Sequence, residues 1–85
     1  MYTLDWKHKA QKQLAKIGDR IARAEIYEAA QVLCDFPNIT QVKKLTNNKY
    51  QYRLRIGRYR LFFDVAESVR IVMIEEVKKR DDRTY

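Results

Sequence analysis

The stretch YRLRIGRYRLFFD, residues 52–64, decides the fold of this chain. Two runs that alternate apolar and polar residues flank Gly57-Arg58, and a two-residue connection with glycine first suits a type II′ hairpin turn. With that turn, Ile56 opposes Tyr59, Leu54 opposes Leu61 and Tyr52 opposes Phe63. Side chains alternate along a strand, so those pairs make one apolar face. The other face carries Arg55 opposite Arg60 and Arg53 opposite Phe62, with Asp64 opposite Gln51 at the far end. Like charges directly across a ladder repel. Stability is given up there, and a bound polyanion would restore it. The pattern points to a domain that handles a phosphate backbone.

The surrounding composition agrees with a small folded unit. Eighty-five residues, 34% charged and 46% hydrophobic, make a single domain over 1–85. A chain of this size buries little more than about 60% of its unfolded surface, so its core is thin. The net charge is +7, and its distribution says more than its sum. Between Asp35 and Asp64 there is no acidic residue, yet Lys43, Lys44, Lys49, Arg53, Arg55, Arg58 and Arg60 fall there. So one-sided a block leans towards nucleic acid, although an acidic protein would also suit it. The single cysteine, Cys34, excludes an internal disulfide and fits a reducing cytoplasm. No apolar run approaches the roughly 18 residues of a membrane span, and the N-terminus lacks the layout of a signal peptide. One cysteine, one histidine and dispersed acids build no metal site, and no cofactor is expected.

Working outward, residues 2–6 alternate weakly and read as a strand. Trp6, Ala10, Leu14 and Ile17 then recur at helical spacing. Gly18-Asp19 breaks that helix, with Asp19 suited to cap the next one. Ala22, Ile26, Ala29, Leu33 and Phe36 stripe a second helix from about Arg20 to Asp35, which Pro37-Asn38 ends. Residues 38–48 are mostly polar, with a turn at Asn47-Asn48. Strands are predicted at 49–56, 59–65 and 69–77, the last apolar on both faces in its middle and so flanked by neighbours on both sides. The expected fold is α+β: two N-terminal helices packed on one face of a small antiparallel sheet, in the order β-α-α-β-β-β. The opposite face stays open, with Arg53, Arg55 and Arg60 on it.

Arginine forks suit phosphate. Of the aromatic residues Phe62 alone joins their face, where it is a candidate to stack on a base; Tyr50, Tyr52, Tyr59 and Phe63 fall mostly on the core-facing side. Lys78, Lys79, Arg80 and Arg83 leave the last strand near the same sheet end as Gly57, a cationic tail ending in Tyr85. His8 falls on the polar side of the first helix. Cys34 lies near the apolar stripe as a small core residue. Glu75 and Glu76 read as solvated partners of nearby basic groups.

The layout, the run YRLRIGRYRLFFDV and the basic tail from Val77 to Tyr85 resemble the RelE/ParE superfamily of bacterial toxins. The resemblance spans essentially the whole chain and is most specific at Tyr59-Arg60-Leu61 after the tight turn. In the RelE branch, it implies a toxin of a type II toxin–antitoxin pair, neutralised by a cognate antitoxin. Such a toxin cleaves mRNA in the ribosomal decoding site, without metal, by attack of a ribose 2′-OH on the adjacent phosphodiester. Carried over, Arg60 stabilises the developing phosphate charge. Arg53 and Arg55 stand where such toxins usually carry lysines. Arg80 assists the leaving group, and Tyr85 stacks on or orients the nucleotide. Lys44, Lys49, Phe62, Lys78 and Lys79 are the accompanying RNA-binding candidates. Arginine makes a poor general base, which leaves Tyr85, Glu76, Lys78 or Lys79 as alternatives for that role. A ParE-like gyrase inhibitor and a non-catalytic RNA- or protein-binding module are the rival functions.

Overall fold

The computed structural model describes residues 1–80. The chain runs through β1 (Thr3–Trp6), α1 (His8–Ala15), α2 (Arg20–Ala30), a 3₁₀ turn (Gln31–Asp35), β2 (Val42–Lys44), β3 (Tyr52–Ile56), β4 (Tyr59–Ala66) and β5 (Ile71–Lys79). The strands form one sheet in the order β1-β5-β4-β3-β2.

The central hairpin has the register expected of it: Tyr52 pairs with Phe63, Arg53 with Phe62, Leu54 with Leu61, Arg55 with Arg60 and Ile56 with Tyr59. Gly57 takes a φ of +55°, as the first position of a type II′ turn demands. A Cβ there would meet nothing within 4 Å, so the obstacle to substitution is backbone conformation alone. Gly57→Ala should therefore cost about 1–2 kcal/mol, read as a lower denaturant midpoint. An unchanged midpoint would show that the turn readily adopts another shape.

Asp19 caps α2, its Oδ1 accepting from the N–H groups of Ile21 at 3.0 Å and Ala22 at 3.3 Å. The regular helix is shorter than its apolar stripe suggests. Beyond Ala30 the chain tightens into the 3₁₀ turn, whose three-residue period brings Leu33 onto the same buried side as Ala30. Ala10, Ile26, Ala30 and Leu33 meet Leu54, Leu61, Phe63, Val72, Ile74 and Val77 in one core on the helix side of the sheet.

Three features depart from the expectation. The sheet is mixed, because β1 runs parallel to β5 from Thr3↔Ile71 to Trp6↔Ile74; alternation along a strand tells its faces, not its neighbour or direction. A fifth strand, β2, extends the sheet by pairing antiparallel with β3. Its Val-Lys-Lys is too short to show a period. Finally, β5 is one residue out of step: Phe62 pairs with Glu76 but Phe63 with Ile74. Glu75 is the extra residue of a bulge.

Beyond Trp6, β1 no longer covers β5, and α1 takes over that edge. The Val77 N–H donates to Gln13 Oε1 at 2.6 Å, satisfying a ladder group that would otherwise lack a strand partner.

Candidate nucleic-acid interface

The register sorts the open face into cross-strand rows. The row nearest the Gly57 turn is Arg55, Arg60 and Lys78, on β3, β4 and β5. The next runs Lys43, Arg53, Phe62 and Glu76 from β2 to β5. Asp64 lies opposite Met73 one row further, and its Oδ1 accepts from the Gln51 N–H at 2.8 Å. Charge thus falls from wholly cationic at the turn to acidic at the far end.

Past Lys79 the ladder continues through a bond from the Arg80 N–H to the Arg58 carbonyl, 2.6 Å. This holds Arg80 against the turn. Arg53, Arg55, Arg60 and Arg80, with Gly57 and Tyr59, line a cavity of about 210 Å³. An adjoining groove shares Arg53, Arg55 and Gly57 and adds Lys43. Burial first, and then the charges of Arg60, Arg55 and Arg80, lower the pKa of Arg53. Its Nε is buried with no hydrogen-bond partner among the described residues. A guanidinium does not give up its proton at ordinary pH, so the cluster keeps its charge and its mutual repulsion. An anion entering the cavity would relieve that repulsion and supply the missing acceptor.

The structure thus brings together Arg53, Arg55, Arg60 and Arg80, with Lys78 on the same face beside Arg60. Lys79 pairs with Tyr59 on the other side and lines a groove with Asp19 and Glu25 of the helix layer. Lys44, opposite Tyr52, is also turned from the arginines, and Lys43 takes the place expected of it. Without β2, the phase of these two lysines is unreadable; the register against Arg53 and Leu54 sets it. Tyr85 lies outside the described residues. His8 is exposed.

Two expectations are corrected by the structure: Glu76 is not solvated, and Tyr50 is not a core-facing strand residue, because β3 begins only at Tyr52 and Tyr50 lies against Phe62 and Glu76 on the open face. Glu76 is only 6% exposed. Its Oε1 accepts from Gln13 Nε2 at 3.3 Å and lies 3.4 Å from Lys9 Nζ and 3.7 Å from Lys78 Nζ. Its Oε2 accepts from the Tyr50 hydroxyl at 2.7 Å. Burial alone would push the Glu76 carboxyl up. The hydrogen bonds from Tyr50 and Gln13 and the charges of Lys78 and Lys9 outweigh it and hold the group below the usual range. An ionised carboxylate with this many partners is an anchor and a weak proton acceptor. The bulge at Glu75 creates the arrangement by shifting Glu76 into register with Phe62.

Tyr50 reaches Glu76 because the segment before β3 folds over the sheet. Asn47 turns with a φ of +54°, and the Tyr50 N–H donates to Asn48 Oδ1 at 3.0 Å. The Tyr50 ring then lies 5.6 Å from that of Phe62 at a tilt of 36°. Lys49 Nζ sits 5.5 Å from the Tyr50 centroid. Phe62 is thus partly covered by a second aromatic ring.

The hydrogen bond to Glu76 first, then burial, then the charges of Glu76, Glu75 and Asp64, raise the Tyr50 phenol to about 12. A raised phenol contributes stability that is whole below the unfolded value of about 10 and is lost as pH rises through about 12. Tyr50→Phe should therefore flatten the alkaline loss of thermal midpoint between these values. Parallel profiles for the two proteins would refute the coupling.

The model of the family described as "ParE toxin of type II toxin-antitoxin system, parDE" matches residues 4–83. No curated protein matches the sequence. Among solved structures, the isolated RelE toxin of E. coli superposes with a TM-score of 0.79 at 23% identity, covering 99% of this chain and 89% of that one. A chain of the RelBE2 toxin–antitoxin complex of Mycobacterium tuberculosis gives 0.75 at 26% identity, covering 93% and 98%. The RelE–RelB complex of Pyrococcus horikoshii gives 0.75 at 21%, covering 95% and 97%.

Proposed function

We propose that this chain, which belongs to the RelE/ParE family of type II toxin–antitoxin toxins, is a ribosome-dependent, metal-independent mRNA endonuclease that inhibits translation in the cytoplasm. The observation that carries this reading is the convergence of four guanidinium groups on one cavity of the open sheet face.

The chemistry follows from what those groups can do. Attack of a ribose 2′-oxygen on the adjacent phosphorus forms one P–O bond and breaks the bond to the next 5′-oxygen. The products are a 2′,3′-cyclic phosphate and a free 5′-OH. Charge builds on the phosphoryl oxygens midway. Arg60, with Arg55 and Lys78 beside it, supplies fixed donors for that charge, and Arg53 adds a half-buried one. Each donor of this kind is commonly worth about 10²–10³ in rate. Arg80 is suited to neutralise the departing 5′-oxygen, and Tyr85 to hold the nucleotide. Glu76 is committed to its four partners and is no candidate for the base; Lys79 faces the helix layer. A site so short of a base gains most from a partner that aligns the RNA, since alignment can supply up to roughly 7–11 kcal/mol of barrier reduction. The ribosome fills that role. A cognate antitoxin restrains the toxin; solved relatives include toxin–antitoxin complexes.

A second reading, inhibition of DNA gyrase, draws on the ParE description of the matching family. The discriminating experiment expresses the chain under tight control, maps mRNA ends in cells, and assays gyrase in vitro. Cuts within translated codons are expected. Poisoned gyrase with intact mRNA would select the second reading.

A further inference from the structure

We propose that Tyr50 and Phe62 form a nucleobase platform, and that it takes one base of the RNA strand whose phosphate occupies the arginine cavity. The inference rests on the ribonuclease reading and extends it from the backbone to a base. Phe62 lies directly across the ladder from Arg53, which lines the cavity. The platform is therefore one row, about 6.6–6.8 Å, from the Arg55–Arg60 pair. Base and phosphate of one nucleotide are separated by a comparable span.

The platform is also held in place. The Tyr50 hydroxyl is bonded to a carboxylate that Gln13 and Lys9 secure from α1 and Lys78 from β5 itself. With its phenol neutral at physiological pH, the ring offers an uncharged face. A preset ring loses little freedom when a base stacks on it, and stacking is sequence-tolerant because every base has a π face. Lys49, exposed and over the same ring, adds a cation beside the strand. At the far end, Asp64 repels phosphate. The backbone is thereby confined to the turn end while a base extends towards Phe62.

The test uses a five-nucleotide RNA, 2′-O-methylated so that it cannot be cut, and the same strand made abasic at each position in turn. Fluorescence anisotropy at low salt reads their affinities. The parent protein should lose about tenfold at a single abasic position. Tyr50→Ala, checked for its fold by circular dichroism, should lose that discrimination while binding the abasic strand as the parent does. The scan on the parent protein needs no variant, so the proposal stays testable if Tyr50→Ala unfolds. Equal binding of every abasic strand overturns the platform and leaves the phosphate cavity standing. Discrimination that survives in folded Tyr50→Ala also overturns it. Binding of no strand at all overturns platform and cavity together.

Discussion

Replacing Arg60 with alanine is expected to lower mRNA cleavage on the ribosome by about 10²–10³, equivalent to roughly 2.7–4 kcal/mol of barrier, while the protein stays folded. Arg60 sits between Arg55 on one neighbouring strand and Lys78 on the other. It is the centre of a row with no acid in it. Its removal takes away the donor best placed for phosphoryl charge. It also relieves the repulsion with two like-charged neighbours, so the thermal midpoint should hold or rise slightly. Activity and stability then move apart, which separates a role at the phosphate from a structural one. Arg60→Lys should recover part of the rate, because the charge returns without the planar fork. Primer extension on a reconstituted ribosome, with melting curves in parallel, reads both quantities. Full cleavage by Arg60→Ala at equal protein concentration would overturn the assignment.

Phe63→Ala should have the largest effect on the fold itself, about 3–5 kcal/mol. Phe63 is fully buried. Its ring stacks on Tyr52 at 5.4 Å and meets the edge of Phe36 at 6.1 Å, joining β4 to β3 and to the end of the 3₁₀ turn. Proteins are stable by roughly 0.05–0.15 kcal/mol per residue, so a chain this short can lose most of its margin in that one change. Urea unfolding followed by circular dichroism should show a sharply lower midpoint with a similar slope. A loss under about 1 kcal/mol would mean that the core collapses around the gap.

The adjacent phenylalanine shows why face matters more than residue type. Phe62 lies on the other side of the same strand, partly covered by Tyr50. Its truncation should spare the fold more and bear on RNA instead.

The alternation of residues 52–64 was enough to read the pairing of Arg55 with Arg60, the apolar pairs beneath them and the left-handed glycine between. These are consequences of local geometry: a two-residue turn sets the register, and the period of a strand sets the faces. The Asp19 cap was legible for the same reason, since a cap needs only the two or three residues that follow it. The arginine face was accessible to reading because both strands that build it are joined by that one turn.

Lys43 and Lys44, Glu75 and Glu76, and Tyr50 lay beyond such reading. Which of two adjacent lysines faces the arginines depends on β2 pairing with a strand eight or more residues away. Which glutamate is buried depends on a bulge opposite Phe62 and on α1 arriving at the uncovered edge of β5. Tyr50 reaches across the face only because the acceptor for its hydroxyl comes from β5. The chain's own order of residues determined the hairpin, its turn and the crowding of guanidinium groups, since each depends on neighbours a few bonds apart. Tertiary packing alone decided the parallel β1, the anchored carboxylate and the aromatic pair beside the cavity, because each needs surfaces from distant segments to satisfy its polar groups together.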